Sequence, residues 1–252
     1  MANSDGEIAR YASSAAAADS EDMDLNPPLR METMMQLLHK TVVSDFDGTL
    51  TKHDFFRLAL SYLPPEAAEP WARYENGLTS HFDALQEIFS GLRIKDQEFD
   101  DLLSDMQIEP GLRKQWERLQ KDGWSLVIAS AGCAFYIERI LGRIGVNPII
   151  HANPGEFIPD SGLFMKRPVE SPFYHAETGI DKSAIVKQFL DNRCTTAFAG
   201  DGRPDLAPAL LVAPEYRFAK GWLADELERR GAPFIRFEQW SEIVDRLCME
   251  AE

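Results

Sequence analysis

Short apolar runs recur along the chain, and each is followed at once by small or acidic residues. Residues 41–43, 125–129 and 195–199 have the length and the apolar content of buried strands. Polar groups that follow such strands are expected to gather at the carboxyl edge of a parallel sheet. The pattern therefore predicts an α/β fold whose chemistry lies where these three strands end.

A long segment between the first two predicted strands, residues 52–122, has helical periodicity. Helix-breaking residues divide it at Pro64-Pro65, Gly77 and Gly91. The segment is therefore predicted to be several short helices. Its periodic apolar positions are Phe55, Phe56, Leu58, Leu60, Tyr62, Phe82, Leu85, Ile88, Phe89, Phe99, Leu102, Leu103 and Met106.

A second insertion, residues 147–179, carries the signal of a β-hairpin. The strand-like segments Glu156-Phe157-Ile158 and Leu163-Phe164-Met165 flank a run of turn formers. His151 and His175 lie in the same insertion and are candidate ligands. Isolated histidines are more often surface or hydrogen-bonded residues, so we expect no catalytic role for either.

Composition agrees with a globular enzyme that has one large domain and a smaller inserted one. The chain has 252 residues, of which 44% are hydrophobic, enough for a sizeable core. Its formal net charge of −15 argues against nucleic acid or an anionic membrane as a partner. We expect no signal peptide and no membrane span, because no apolar run is long enough. The sequence leaves the oligomeric state open.

The first 36 residues differ from the rest of the chain. They are rich in Ala, Ser and acidic residues, which predicts a disordered tail and not a basic transit peptide, and Met31 or Met34 is an alternative start. Cysteine is sparse: Cys133, Cys194 and Cys248 form no paired framework. Reduced thiols in a cytoplasmic compartment are therefore expected, with Cys133 packed as an apolar residue.

The richest candidate chemistry follows the first predicted strand, in the run Asp45-Phe46-Asp47-Gly48-Thr49. Residues two apart on a strand point to the same side, so Asp45 and Asp47 are expected to converge where the strand ends. Two carboxylates at one strand tip favour Mg²⁺, and an aspartate there can attack phosphorus. An Asp-rich turn that caps a helix is the alternative.

Two further segments supply groups suited to a phosphoryl oxygen. Ser130-Ala131-Gly132 follows the second strand at a predicted strand-to-helix turn, where a hydroxyl and free amides can donate hydrogen bonds. Lys182 opens a predicted amphipathic helix over residues 181–190, although the helix dipole disfavours a lysine there. Read singly, the first is usually an ordinary loop and the second a solvated side chain.

The third strand ends in Gly200-Asp201-Gly202, and Asp205 follows four residues after Asp201. If a helix begins there, both carboxylates can face one centre. Each can equally be a turn or cap residue. All four segments together favour a functional site over a purely structural explanation.

These four segments, in this order, resemble the motifs of the haloacid dehalogenase superfamily of phosphohydrolases. The resemblance implies that Asp45 is the nucleophile and that Asp47 is the general acid and base. It further implies that Ser130, its neighbouring amides and Lys182 hold the phosphoryl group.

The same resemblance implies the metal site and the architecture. Asp45, the Asp47 backbone carbonyl and Asp201 would bind Mg²⁺, and Asp205 would orient its water shell. The fold would be a three-layer Rossmann-like core with a parallel sheet, formed by 37–51 and 123–252.

Residues 52–122 would be a helical cap that closes over the site, which excludes water and supplies specificity. A plain helical layer on the sheet is the alternative. The helical insert resembles the phosphoserine phosphatase branch, and the hairpin insertion and the carboxyl-terminal region resemble the phosphatases of methionine salvage.

The substrate expected from this resemblance is a small phosphorylated metabolite. Phosphoserine, phosphocholine or phosphoethanolamine, and pyridoxal phosphate are the rivals to a methionine-salvage substrate. Phe55 and Phe56 would suit a thioether, and an arginine in the cap would suit a carboxylate. A phosphotransferase on the same fold and a non-catalytic phosphate-binding module remain alternatives. Candidate recognition residues are His53, Arg57, Arg73 and Arg167.

Overall fold

The computed structural model describes residues 39–249. The expectations of a disordered tail over 1–36 and of a start at Met31 or Met34 concern residues outside this range. The strands of the described residues are β1 (Lys40–Ser44), β2 (Trp124–Cys133), β3 (Ile149–Asn153), β4 (Gly155–Ile158), β5 (Gly162–Met165), β6 (Tyr174–His175), β7 (Gly179–Ile180), β8 (Thr195–Gly200), β9 (Arg217–Ala219) and β10 (Ile235–Arg236).

Helices alternate with these strands or lie between them. The α-helices of the described residues are α1 (Phe55–Leu60), α2 (Glu69–Glu75), α3 (His81–Ser90), α4 (Asp96–Asp105), α5 (Leu112–Lys121), α6 (Ala134–Arg143), α7 (Lys182–Asp191), α8 (Leu206–Leu211), α9 (Gly221–Arg229) and α10 (Trp240–Cys248). The short 3₁₀ helices are Pro65–Ala68, Arg203–Asp205 and Pro214–Tyr216.

The main sheet is parallel throughout, with the strand order β10-β9-β8-β1-β2-β3. β1 is central, and its Val42 and Val43 point to opposite faces because successive strand residues alternate. Val42 packs in a core with residues of α5, α6 and α10, whereas Val43 packs with residues of α7, α8 and α9. The predicted three-layer α/β fold with a parallel sheet is confirmed.

Helices α1 to α4 follow β1, and their aromatic side chains join the same core as Val42. Phe55 is fully buried and packs edge-on against Phe89 with ring centroids 5.0 Å apart. Its other face stacks on Tyr136 of α6 at 4.2 Å, which ties this layer to the sheet domain. Leu112 and Leu119 of α5 are buried in the core on the sheet. The division into a cap over 52–122 and a core stays a prediction.

The predicted hairpin in the second insertion is confirmed as β4 and β5, which pair antiparallel with Glu156 opposite Phe164. This hairpin contacts α3 directly, because the Met165 N–H donates to the Gln86 side chain at 2.6 Å. Beyond it, Arg167 donates to Asp83 at 2.9 Å and lies over the Phe82 ring. The insertion is thus bound to the helices that follow β1.

The helices of the described residues are all too short, or too polar, to cross a membrane.

Candidate active site

Asp45 and Lys182 meet at the carboxyl edge of the sheet, 137 residues apart in sequence. Asp45 follows β1 directly, and its N–H still donates to the Ala199 carbonyl of β8. Lys182 is the first residue of α7, where a side chain points back past the helix N-terminus. Its Nζ donates to Asp45 Oδ1 at 2.7 Å, and both side chains are buried. The lysine that the helix dipole disfavours is therefore held by a buried ion pair.

Asp205 is the second partner of Lys182. It is fully buried, and its Oδ1 accepts from the lysine at 2.6 Å. Its Oδ2 accepts the N–H groups of Asp201 and Gly202 at 3.1 and 2.9 Å. Asp205 therefore fixes both the lysine and the turn after β8. The predicted strand over 195–199 is confirmed as β8.

Carboxylate oxygens of Asp45, Asp201 and Asp205 all lie within 4.8 Å of one another. Burial raises the pKa of Asp45 well above its ordinary value, while the Lys182 charge opposes that rise. Burial and the neighbouring Asp205 raise the pKa of Asp201 to about 6. Burial alone would lower the pKa of Lys182, but its two carboxylate partners raise it instead. Negative charge is thus concentrated beyond what one lysine balances.

Asp47 makes contacts of a different kind. Its Oδ1 accepts the N–H of Phe55 at 3.1 Å, and its Oδ2 accepts the hydroxyl of Tyr136 at 2.6 Å. Burial raises the pKa of Asp47, and the hydrogen bonds from Tyr136 and Phe55 partly oppose that rise. A carboxyl group with a raised pKa exchanges a proton more readily near neutral pH. The two aspartates of one motif therefore have distinct surroundings.

Ser130, Ala131 and Gly132 lie inside β2, which runs to Cys133 before α6 begins. The expected strand-to-helix turn at Ser130 is wrong in detail. The pairing of β2 with β3 shifts register between Ala129 and Cys133, which takes the intervening backbone out of the ladder, and the Gly132 N–H donates to the Ser130 hydroxyl at 3.0 Å. A Cβ on Gly132 would lie 1.9 Å from the Tyr136 hydroxyl, so only glycine fits there.

Three residues that had no predicted role complete the site. Thr49 donates its hydroxyl to Asp201 Oδ1 at 3.1 Å, and Lys220 Nζ donates to the Thr49 carbonyl at 3.2 Å. Tyr136 is the third, through its bond to Asp47. Lys220 follows the short strand β9. The expectation that polar residues after parallel strands gather at one edge of the sheet would therefore also have indicated it. Gly48 has a φ of +71° and lies against Asp201, which excludes a side chain there.

A cavity of about 1130 Å³ opens over these groups. Asp45, Asp47 and Lys182 line its floor together with Ser130–Gly132, Asp201 and Asp205. Side chains from the segment after β1 also line it, and they include His53, Arg57, Phe56, Trp71, Tyr74 and His81.

Several candidate recognition residues lie elsewhere. The expectation that Phe55 faces a substrate is wrong, because it is buried against Tyr136 and Phe89 and does not line the cavity. Arg73 pairs with Glu87, and Arg167 pairs with Asp83. Of the four polar candidates, His53 and Arg57 thus remain at the cavity.

Cysteine and histidine side chains that could be reactive also lie outside the cavity. Cys133 is fully buried, and burial raises the pKa of its thiol to about 12, so it stays protonated. His151 is buried against the ring of Phe173, with centroids 4.8 Å apart. His175 is exposed and contacts the hydroxyl of Thr178. None of the three lines the cavity.

A hard divalent cation fits the acidic cluster. Asp45 and Asp201 offer carboxylate oxygens, which are the ligands that Mg²⁺ prefers. Burial makes these two groups costly to ionise, and a bound cation would offset that cost. Both oxygens of Asp205 already accept hydrogen bonds, so it supports the cluster from behind. The Asp47 carboxylate is engaged by Tyr136 and Phe55.

Comparison with known proteins places the chain among phosphate-handling enzymes. A sequence model of the haloacid dehalogenase-like hydrolases matches residues 42–210. A curated relative, 2-hydroxy-3-keto-5-methylthiopentenyl-1-phosphate phosphatase of Exiguobacterium sibiricum, is 25% identical over 221 residues, which cover 82% of this chain and 95% of that protein.

Solved structures share the fold. A hydrolase from Salmonella enterica serovar Typhi superposes with a TM-score of 0.65 at 16% identity and covers 85% of this chain and 72% of its own. A phosphoserine phosphatase with a phospho-aspartyl intermediate analogue superposes with a TM-score of 0.58 at 14% identity, covering 82% of this chain and 98% of its own.

Proposed function

The chain belongs to the haloacid dehalogenase-like hydrolase family, as the four motifs indicate, and we propose that it cleaves small phosphomonoesters through a phosphorylated Asp45. One observation carries this proposal: Asp45 faces the cavity with its carboxylate held at 2.7 Å by Lys182. A carboxylate held in place at a concave site can act as a nucleophile, and the Lys182 charge favours its ionised form against the cost of burial.

The first half of the reaction uses the two aspartates in different roles. An Asp45 oxygen attacks phosphorus, and the bond from phosphorus to the alcohol oxygen breaks. Asp47 donates its proton to that departing oxygen, for which its raised pKa is suited. Lys182, Ser130 and the amides beside it would hold the phosphoryl oxygens, where negative charge develops.

The second half returns the enzyme to its starting state. Asp47, now ionised, takes a proton from water, and the resulting oxygen attacks the phosphorus of the aspartyl-phosphate. The bond from phosphorus to Asp45 breaks, so inorganic phosphate leaves and the carboxylate is restored. Tyr136 and the Phe55 N–H keep the Asp47 carboxyl group oriented through both proton transfers.

Mg²⁺ is part of the proposal. Asp45, the Asp47 carbonyl and Asp201 would bind it, with Asp205 positioning the cluster. When bound, the ion supplies positive charge that offsets the substrate's phosphate and the clustered carboxylates.

Excess chelator is therefore expected to abolish phosphate release from p-nitrophenyl phosphate, because the clustered carboxylates would repel the substrate without a cation. Saturating Mg²⁺ should also raise the thermal midpoint, since a ligand at a hundred times its Kd stabilises a fold by about 2.7 kcal/mol. Asp201→Asn should weaken that thermal response, whereas Asp160→Asn, on the β4–β5 turn, should retain it. Full turnover in chelator would contradict the metal's role.

Tyr136→Phe should lower kcat roughly tenfold and leave KM nearly unchanged, because it removes the hydroxyl that orients Asp47 but keeps the ring stacked on Phe55. Steady-state kinetics with p-nitrophenyl phosphate measure this, and Tyr62→Phe, on the exposed surface, is the matched control. An equal loss in both variants would argue against a role for Tyr136 in proton transfer.

The finer substrate proposal is a phosphorylated keto metabolite of the kind that the curated relative acts on. It is supported by sequence similarity along most of the chain and by the cavity above the acidic cluster. A panel containing that compound, phosphoserine, phosphocholine, phosphoethanolamine and pyridoxal phosphate tests it. Phosphate release from none of them would favour a phosphate-binding module, and transfer to an added alcohol in competition with water would favour a phosphotransferase.

A cytoplasmic location completes the proposal. It is supported by the three cysteines, all of which are unpaired in the structure.

A further inference from the structure

The cavity wall that faces the catalytic aspartates is built from aromatic rings of α1, α2 and α3. Phe56 stacks on Trp71 with ring centroids 4.0 Å apart. The indole of Trp71 packs against Tyr74 at 4.9 Å, and both contact His81 edge-on, at 5.5 and 5.1 Å. All four side chains line the cavity. We call these four residues the aromatic wall.

His81 is the unusual member of this wall. It is 8% exposed, and its Nδ1 is buried without a hydrogen-bond partner among residues 39–249. A buried polar atom left unpaired costs free energy, and because the His81 side chain lines the cavity, a bound molecule can supply a hydrogen bond to its imidazole. His151 also has a buried, unpaired ring nitrogen, but it does not line the cavity, so His81 is the one side chain among residues 39–249 that combines the two features.

The backbone around His81 is held from two sides. Its N–H donates to the Glu177 carboxylate at 3.1 Å, and the next N–H, of Phe82, donates to the Glu177 carbonyl at 2.9 Å. Ser80 caps the same helix by accepting from the Asp83 N–H at 3.0 Å. The imidazole therefore stands at a fixed place, as a specificity residue requires.

The charge state of His81 limits what it can bind. Burial lowers its pKa to about 4, and the charge of Lys182 acts in the same direction. At neutral pH the ring is uncharged and offers one donor and one acceptor. Such a ring pairs with a hydroxyl or a carbonyl oxygen, and it does not compensate a carboxylate. Arg57 lies over the Phe56 ring at 5.3 Å, which makes this wall a poor site for an ammonium group.

We propose that His81 and the aromatic wall form the leaving-group subsite, and that this subsite selects uncharged alcohols bearing a hydroxyl or keto oxygen on a short carbon chain. The inference rests on the proposed phosphatase function and names its substrate class. The carbon chain packs on Trp71 and Phe56, and the oxygen satisfies the imidazole of His81. Phosphoserine and phosphocholine are disfavoured because each would place an ammonium group beside Arg57, against rings that carry no negative charge.

The experiment compares His81→Phe with the intact chain on phosphomonoesters that differ only in the leaving group. Dihydroxyacetone phosphate and glycerol 1-phosphate carry the required oxygen, phenyl phosphate lacks it, and phosphoserine and phosphocholine are charged. We expect His81→Phe to lower kcat/KM for the first two by about tenfold or more, mainly through KM. The value for phenyl phosphate should stay within about twofold, because phenylalanine keeps the ring's shape but cannot form the hydrogen bond.

Two further variants separate recognition from folding. His81→Asn keeps a donor and an acceptor near the ring position and should retain more activity on the keto and hydroxyl esters than His81→Phe. His151→Phe is the matched control, because it replaces another buried, uncharged histidine away from the cavity. It should leave the kcat/KM values for the different esters unchanged relative to one another.

An equal loss on all esters, or a wild-type preference for phosphoserine or phosphocholine, would overturn the subsite. Absence of any hydrolysis by the wild-type chain with Mg²⁺, phenyl phosphate included, would instead refute the proposed function, and the subsite with it.

Discussion

Replacing Asp45 by asparagine is expected to lower the turnover of every phosphomonoester by at least about a thousandfold, as the loss of a covalent nucleophile does in other enzymes. The amide has nearly the shape of the carboxylate but lacks the negative charge that attacks phosphorus. The fold should survive, because burial makes the charged form of Asp45 costly and Lys182 keeps Asp205 as a partner. Phosphate release and circular dichroism measure the two expectations.

A direct test of the covalent step accompanies this variant. The wild-type chain, quenched in acid during turnover, should gain the mass of one phosphoryl group on the peptide that contains Asp45, and Asp45→Asn should gain none. Asp160→Asn, at an exposed turn, is the matched control and should behave as wild type. Residual turnover of Asp45→Asn near the wild-type rate, or a phosphoryl group on another residue, would refute the assignment of the nucleophile.

Lys182→Met should damage both activity and stability. The lysine pairs with two buried carboxylates, at 2.7 and 2.6 Å, and methionine would leave both charges uncompensated. Breaking a buried ion pair in this way costs roughly 3 kcal/mol or more. Loss of a group aimed at the phosphoryl oxygens should lower kcat by a further factor of about a hundred.

The two effects of Lys182→Met can be measured separately. Denaturant titration in the presence of chelator gives the free energy of unfolding. Steady-state kinetics at saturating Mg²⁺ give kcat for the folded fraction of the protein. Lys187→Met, on the exposed face of the same helix, controls for helix propensity and should change neither. Unaltered stability would contradict the role of Lys182 in compensating buried negative charge.

The sequence located the acidic cluster because its members obey a local rule. Asp45 and Asp201 each follow a short apolar run, and a parallel sheet brings the ends of such runs together wherever they lie in the chain. Lys182 was found because it is out of place at a helix start. These signals depend on neighbours in sequence, so no knowledge of packing was needed.

The roles of Tyr136 and His81 were not predicted from the sequence, because they depend on packing between distant elements. Tyr136 is one of several buried residues on α6, and only the approach of β1 brings Asp47 to its hydroxyl. His81 belongs to the wall only because α2 folds back onto α3. Phe55 and Phe56 show the converse failure: they are neighbours, yet about 100° of helical rotation turns one into the core and the other to the cavity.

Several hydrogen bonds join the second insertion to the helices after β1. Glu177 accepts two N–H groups at the start of α3. Gln86 of α3 accepts the Met165 N–H, and Arg167 donates to Asp83. In a chimeric enzyme, a foreign segment grafted in place of 52–122 would leave Glu177 and Arg167 without their counterparts. A successful graft must therefore also take residues 155–180 from the same donor protein. The proposed leaving-group preference would then depend on two separate stretches of the gene.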